Sequence, residues 1–223
     1  MLNYEIAPEI LQPRVPAGTE LDYYEGKTFV SVIGFRFLRT QVLGVPIPLH
    51  RDFDEVNLRF YVRARGPEGW RRGVVFVREL VPRWAIAWVA RTFYGEPYTA
   101  LPMRHRIEQS EEGIALAYEW RRGGVWEGLE LAGRGEPRLM KPGSMEEFIA
   151  EHYWGFTGGN TGSTQYAVEH EPWRVWDGIG ACFRADVATL YGPEFVETLG
   201  GAPSSAFIAE GSPVVVRMKS RAG

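Results

Sequence analysis

The chain has 223 residues, 45% of them hydrophobic and 13% aromatic, which suffices for one large β-rich domain spanning 1–223 with a well-buried core. A formal net charge of −3 gives no overall field for nucleic acid, and the longest apolar run, residues 84–90, is far too short to span a bilayer. The first residues carry neither a basic nor an apolar leader pattern, and the single cysteine, Cys182, fits a reducing cytosol. The expectation is a cytoplasmic protein with no nucleic-acid and no membrane partner.

Residues 1–25 contain Pro8, Pro13 and Pro16 and read as an irregular or strand-edge lead-in. Phe29, Ile33, Phe35 and Phe37 mark the first strand. Residues 55–65 then alternate strictly, with Val56, Leu58, Phe60, Val62 and Ala64 on one face and Glu55, Asn57, Arg59, Tyr61, Arg63 and Arg65 on the other, which predicts a long β-strand. After a Gly66-Pro67-Glu68-Gly69 turn, residues 73–80 are almost continuously apolar, as a strand covered on both faces would be, so the two segments form a hairpin. Pro82 opens a mostly apolar helix over 82–93.

Strands follow near 101–109, 113–121 and 125–132 as a meander. Ser144 with Glu147 three residues later is a capping box, and Met145, Phe148, Ile149 and His152 then share a helical face. A loop over 155–162, a strand over 163–170, a short helix over 193–199 and a last strand over 213–218 complete the pattern.

The segments Asn57-Leu58-Arg59-Phe60-Tyr61-Val62, Gly73-Val74-Val75-Phe76-Val77, Ala90-Arg91-Thr92-Phe93-Tyr94 and Phe148-Ile149-Ala150-Glu151-His152-Tyr153, with His170-Glu171-Pro172-Trp173, resemble the YqjF-like family of uncharacterised proteins, in order from about Gly26 to Trp173. That family is similar in fold to acetoacetate decarboxylase. The resemblance implies a mainly β α+β fold: a closed or conical antiparallel β-barrel, two or three helices packed outside and a polar ligand pocket within. It also implies that Tyr98 and Thr99 stand where that enzyme keeps its imine-forming lysines. Neither side chain condenses with a ketone, and Lys27, Lys141 and Lys219, the only lysines, sit at a strand start, a turn and the C-terminus, so Schiff-base decarboxylation is disfavoured.

Within such a barrel the polar row of residues 55–65 faces either water or the pocket. On the pocket reading, Arg59 holds an anion with Asn57 beside it, while Arg63 and Arg65, nearer the turn, are solvated. Glu79 is the one acid in an apolar strand; it is either a structural ion-pair partner of Arg59 or, with Glu55, an acid/base group. Through the resemblance, Arg91, Tyr94, Glu96 and Tyr98 lie at the pocket mouth and Met103 shapes its wall. That set suits a small carboxylate or other anion.

His50, His105, His152 and His170 form no metal signature, and the glycine-rich stretch 158–163 lacks the lysine of a phosphate loop, so neither a metal nor a cofactor is implied. No serine has a nucleophile-elbow context. Three classes stay open: a binder of a small anionic or carbonyl-bearing molecule, an acid/base lyase or isomerase using Glu79 or Glu55 with Arg59, and an interaction protein using Trp70, Trp126, Trp154 or Trp176. A homo-oligomer is also left open.

Overall fold

The computed structural model describes residues 1–38, 41–42, 45–46, 52–83, 97–159, 162–216 and 220–221. Arg91, Tyr94 and Glu96, most of the predicted helix 82–93, His50 and Lys219 therefore lie outside the described residues.

The strands are β1 (Leu2–Ile6), β2 (Thr19–Leu21), β3 (Thr28–Phe37), β4 (Gln41–Val42), β5 (Val45–Pro46) and β6 (Phe53–Gly66). They continue with β7 (Gly69–Val81), β8 (Tyr98–Ala100), β9 (Met103–Ser110), β10 (Gly113–Arg122), β11 (Val125–Arg134) and β12 (Arg138–Leu139). The last six are β13 (Trp154–Gly159), β14 (Gly162–Glu169), β15 (Arg174–Arg184), β16 (Ser205–Ala209), β17 (Val215–Val216) and β18 (Ser220–Arg221). Helices are short: Pro8–Leu11, Met145–Ala150, Val187–Leu190 and Val196–Gly200.

Most strands join one sheet in the order β17-β14-β13-β7-β6-β3-β1-β16-β15-β11-β10-β9, with β2 and β8 added beside β6 and β7. Among the described residues this path does not close by pairing. The expected closed barrel is thus replaced by an open, strongly curled sheet. Its far end returns over β3 and β6 through side chains instead of a ladder: His105 Nδ1 lies 2.9 Å from Asp54, and a Cβ on Gly34 would stand 2.6 Å from the Tyr118 ring. That absent side chain is what lets the two layers approach.

The apolar row of β6 enters the main core as the alternation requires. Val56, Leu58, Phe60, Val62 and Ala64 pack with Leu2, Val75, Leu80, Tyr118, Trp120 and Leu129 between the layers. On the opposite face, Tyr61 joins a smaller cluster with Phe29, Val74, Phe148, Ile149 and Phe207 beneath the helix Met145–Ala150. That helix starts as the capping box predicts: Glu147 N–H donates to Ser144 Oγ at 3.3 Å, while Glu147 Oε2 accepts from Gly143 N–H at 2.7 Å.

Two expectations are corrected. The proline-bearing lead-in contains β1, which lies inside the sheet between β3 and β16, since its prolines fall after the strand and leave every ladder N–H available. The loop expected over 155–162 holds most of β13, which pairs antiparallel with β14 and parallel with β7. There the glycines serve close packing, a Cβ on Gly155 standing 2.1 Å from Tyr166 Cζ.

Candidate functional site

The polar row of β6 does not face water over most of its length. Glu55 and Asn57 are each 1% exposed, Tyr61 is also 1% exposed, and Arg59 is partly buried. Toward the turn the row becomes surface: Arg63 pairs with Glu20 at 2.7 Å, and both Arg63 and Arg65 stack on Trp70.

A β-bulge between Leu58 and Arg59 decides which side chains meet. The extra residue on β7 sets Asn57 opposite Glu79, where the register running from the turn would have set Val56, while Arg59 stays opposite Phe76 and does not face Glu79. Parallel pairing of β7 with β8 sets Tyr98 beside Glu79. Glu55 thus gains three partners: Asn57 Nδ2 donates to Oε1 at 3.1 Å, the Tyr98 hydroxyl donates to Oε2 at 3.0 Å, and Glu79 shares a hydrogen bond with it. Glu79, 2% exposed, also hydrogen-bonds Tyr98.

Burial pushes the Glu55 carboxyl up to about 7, and hydrogen bonds from Asn57, Tyr98 and Glu79 with the nearby Arg59 charge only partly oppose it. Two buried carboxyls in contact do not both ionise readily, so the pair holds a proton near neutral pH. Burial next to the same two acids raises the Tyr98 phenol well above its ordinary value, which keeps it a hydrogen-bond donor.

Arg59 turns away from the acids. Its Nη2 donates to the Ile149 carbonyl at 3.0 Å, near the end of the helix Met145–Ala150, and its guanidinium lies 5.7 Å from the Tyr61 ring centre. The Tyr61 hydroxyl meets Ser31 Oγ at 2.6 Å, and Ser31 donates to Asn3 Oδ1 at 2.7 Å. All three are buried, and the chain of hydrogen bonds offsets the cost of removing their polar atoms from water.

Beyond Tyr61 lies an ion cluster. Asp22, 4% exposed, accepts from Arg72 Nε at 2.7 Å, and His152 Nε2 lies 3.2 Å from the same carboxylate oxygen. Burial alone would raise the Asp22 carboxyl, but the hydrogen bonds from His152 and Arg72 and the Arg72 charge outweigh it, to about 2. Burial lowers His152 to about 4 against the pull of Asp22, so the imidazole is neutral at pH 7.

Of the residues singled out in the sequence, Glu55, Asn57, Glu79 and Tyr98 come together, with Arg59 further along the same row. Met103 packs against the larger core cluster between the layers. Trp176 is buried, whereas Trp70 and Trp126 are exposed under arginine guanidinium groups. Among the described residues, no group of three or more His, Cys, Asp or Glu side chains converges as metal ligands would. Of the described lysines, Lys27 pairs with Glu5 at the surface and Lys141 is exposed. Asp22, Ser31 and Asn3 were missed by sequence reasoning. A faint signal existed in Glu20-Leu21-Asp22, where polar and apolar residues alternate ahead of a buried strand.

The chain belongs to the DUF2071 family of uncharacterized conserved proteins, which matches residues 1–213. It is 28% identical over 176 residues to the uncharacterized protein YqjF of Bacillus subtilis (strain 168), covering 77% of this chain and 69% of that protein. Among solved structures it is similar to an acetoacetate decarboxylase (TM-score 0.64, 11% identity, covering 99% of this chain and 84% of that one). It is also similar to acetoacetate decarboxylase from Legionella pneumophila (0.56, 15%, 98% and 78%) and to the enduracididine biosynthesis enzyme MppR complexed with pyruvate (0.61, 13%, 100% and 84%). These likenesses establish the fold. No helix among the described residues is long and apolar enough to cross a membrane.

Proposed function

We propose that the protein binds a small anionic or carbonyl-bearing molecule along the polar row of β6, without Schiff-base lysine chemistry. The observation that carries this reading is the buried acid pair Glu55 and Glu79, clasped by Asn57 and Tyr98 with Arg59 further along the row. Such a concentration of buried polar groups on one sheet face opposes stability unless each is satisfied, and perturbed groups of this kind cluster at functional sites. The similar enzyme MppR holds pyruvate, a small keto acid, on a related fold. A tyrosine hydroxyl directed at Glu55 supports the exclusion of an imine, because Tyr98 fills with a phenol the place where the resemblance expects an amine.

A second reading, an acid/base enzyme acting on a small keto or carboxylic acid, is favoured by one observation. A carboxyl held at about 7 both gives and takes a proton at neutral pH, as a general acid/base must. Glu55 would exchange the proton, with Glu79 and Tyr98 stabilising either state.

Thermal unfolding with pyruvate and acetoacetate tests binding. At a hundredfold excess over its dissociation constant, a ligand selective for the native state adds about 2.7 kcal/mol, and Arg59→Met should abolish that gain. Borohydride treatment of the same mixtures should leave the intact mass unchanged. A stoichiometric adduct on a lysine, or no stabilisation by any small acid, would overturn the reading.

A further inference from the structure

The two ends of the sheet are finished differently. At one end the short strands β17 and β18 cover β14. At the other, β9 pairs only with β10 among the described residues, and residues 104–110 are all exposed. An edge of this length is usually blunted by a proline, a bulge, a covering segment or charge. The register of β9 with β10 is unbroken and Met103–Ser110 contains no proline, so charge is the one guard left. The ladder settles which backbone groups the edge offers. Arg121 N–H donates to the Pro102 carbonyl at 2.8 Å, so the alternation of an antiparallel pair turns Arg104, Arg106, Glu108 and Ser110 toward β10 and leaves the N–H and C=O of His105, Ile107 and Gln109 pointing outward. Ile107, in the middle of that row, is 42% exposed. It lies opposite Leu116, which packs on the main core, and Leu116 lies opposite the buried Leu131, so Ile107 carries the core row past the edge of the sheet. On the other face Arg104 is paired with Glu119, whereas Arg106 and Glu108 make no ion pair among the described residues.

We infer that β9 is a dimerisation edge, pairing antiparallel with β9 of a second copy of this chain about a two-fold axis through Ile107. Such an axis, normal to the sheet, keeps like faces together. Ile107 then meets its own copy, His105 lies opposite Gln109 of the partner subunit, and the outward N–H and C=O groups bond reciprocally. Arg106 stands opposite Glu108 of the partner subunit on the outer face, and symmetry repeats the pair. Moving the axis to Arg106 or to Glu108 also brings outward groups together, but it sets Arg106 against Arg106 or Glu108 against Glu108, which opposes association. The charges that guard the edge against other strands thus admit a second copy in one register, and that register covers the exposed isoleucine. The inference stands apart from the small-acid reading, since no residue of the polar row of β6 takes part.

Sedimentation velocity over a dilution series of the full chain tests this. The wild type should sediment as a dimer that dissociates on dilution. Arg106→Glu and Glu108→Arg should each weaken association about tenfold, because each turns the attractive cross-strand pairs into repulsive ones, and the two changes made together should restore it. Ile107→Lys should give a monomer with an unchanged far-ultraviolet circular dichroism spectrum, since that side chain is already exposed in the single copy. Hydrogen exchange followed by NMR gives a readout that needs no variant: the amides of His105, Ile107 and Gln109 should be protected at high concentration and exchange freely on dilution, while those of Arg106 and Glu108 stay protected at both. A protein that remains monomeric into the high micromolar range, or an assembly that the charge reversals and Ile107→Lys leave intact, would overturn the inference. So would a double reversal that associates no better than either single one.

Discussion

Asp22 and Glu55 are two buried carboxyls beside the same strand, and their acidities lie on opposite sides of the ordinary carboxylate range, at about 2 and about 7. Depth alone does not separate them, since both are less than 5% exposed. Their partners do. Asp22 meets a guanidinium in direct contact, while Glu55 meets an amide, a phenol and a second carboxyl, with its nearest arginine turned to a helix carbonyl. Hydrogen bonds from neutral groups satisfy a buried acid without compelling it to ionise; a contacting cation compels it. One end of the row is thereby a fixed ion cluster and the other a proton-holding pair.

Removing the fixed charge should have the largest effect. Asp22→Asn keeps the shape but leaves Arg72 without its counterion. The expected loss is about 2 kcal/mol in urea unfolding, below the full cost of breaking a buried pair because Arg72 is 37% exposed and can rehydrate. A loss under about 0.5 kcal/mol, the level of an ordinary surface change, would mean that the cluster is not structural.

The opposite end should show itself in pH dependence. The unfolded chain ionises Glu55 near 4.5 whereas the native state holds the proton to about 7, so the contribution of Glu55 to stability should fall as pH rises through that window, read as the difference between the wild-type and Glu55→Gln profiles. The slope approaches about 1.4 kcal/mol per pH unit for one retained proton, and Glu55→Gln should remove it. His152 works in the reverse sense: unfolding lets it protonate near 6.5 while the native ring resists to about 4, so its contribution is lost as pH falls through that range. Asp22 adds a further loss only as pH falls from about 3.8 toward 2. A pH profile of Glu55→Gln superimposable on the wild type would erase the contrast between the two ends.

How far the sequence disclosed this depends on the range of the forces involved. The alternation over 55–65 and the Ser144 capping box are local, set by a strand's two-residue period and a helix's first turn, and both appear as read. The buried polar row was legible as a choice between water and interior, because alternation shows that a second face exists but not what covers it. The bulge at Leu58 and Arg59 was illegible, since no glycine or proline marks it, and it moves Glu79 from opposite Val56, where the register from the turn would put it, to opposite Asn57. The Asp22 and His152 contact spans 130 residues of chain and depends on the whole sheet path. Closure into a barrel failed for the same reason: it depends on which strands meet at the ends, a property no single segment carries.

The smallest effect belongs to the helix that orients the row. Ser144→Ala should cost about 1 kcal/mol by removing the cap on Glu147 N–H. Because Arg59 donates to Ile149 in that helix, the same change should loosen the arginine while leaving the Glu55 titration in place. Loss of the Glu55 shift in this variant would show that the two ends are coupled through the helix, blurring the division between them.

The most direct test of the account is a carbon NMR titration of the Glu55 carboxyl in the native protein, assigned by comparison with Glu55→Gln. The account predicts a midpoint near 7, with Glu79 and the Tyr98 ring responding in the same pH range. A midpoint near the ordinary value of 4.5 would show Glu55 to be a solvated or fully ion-paired carboxylate and would contradict the proton-holding pair on which the functional reading stands.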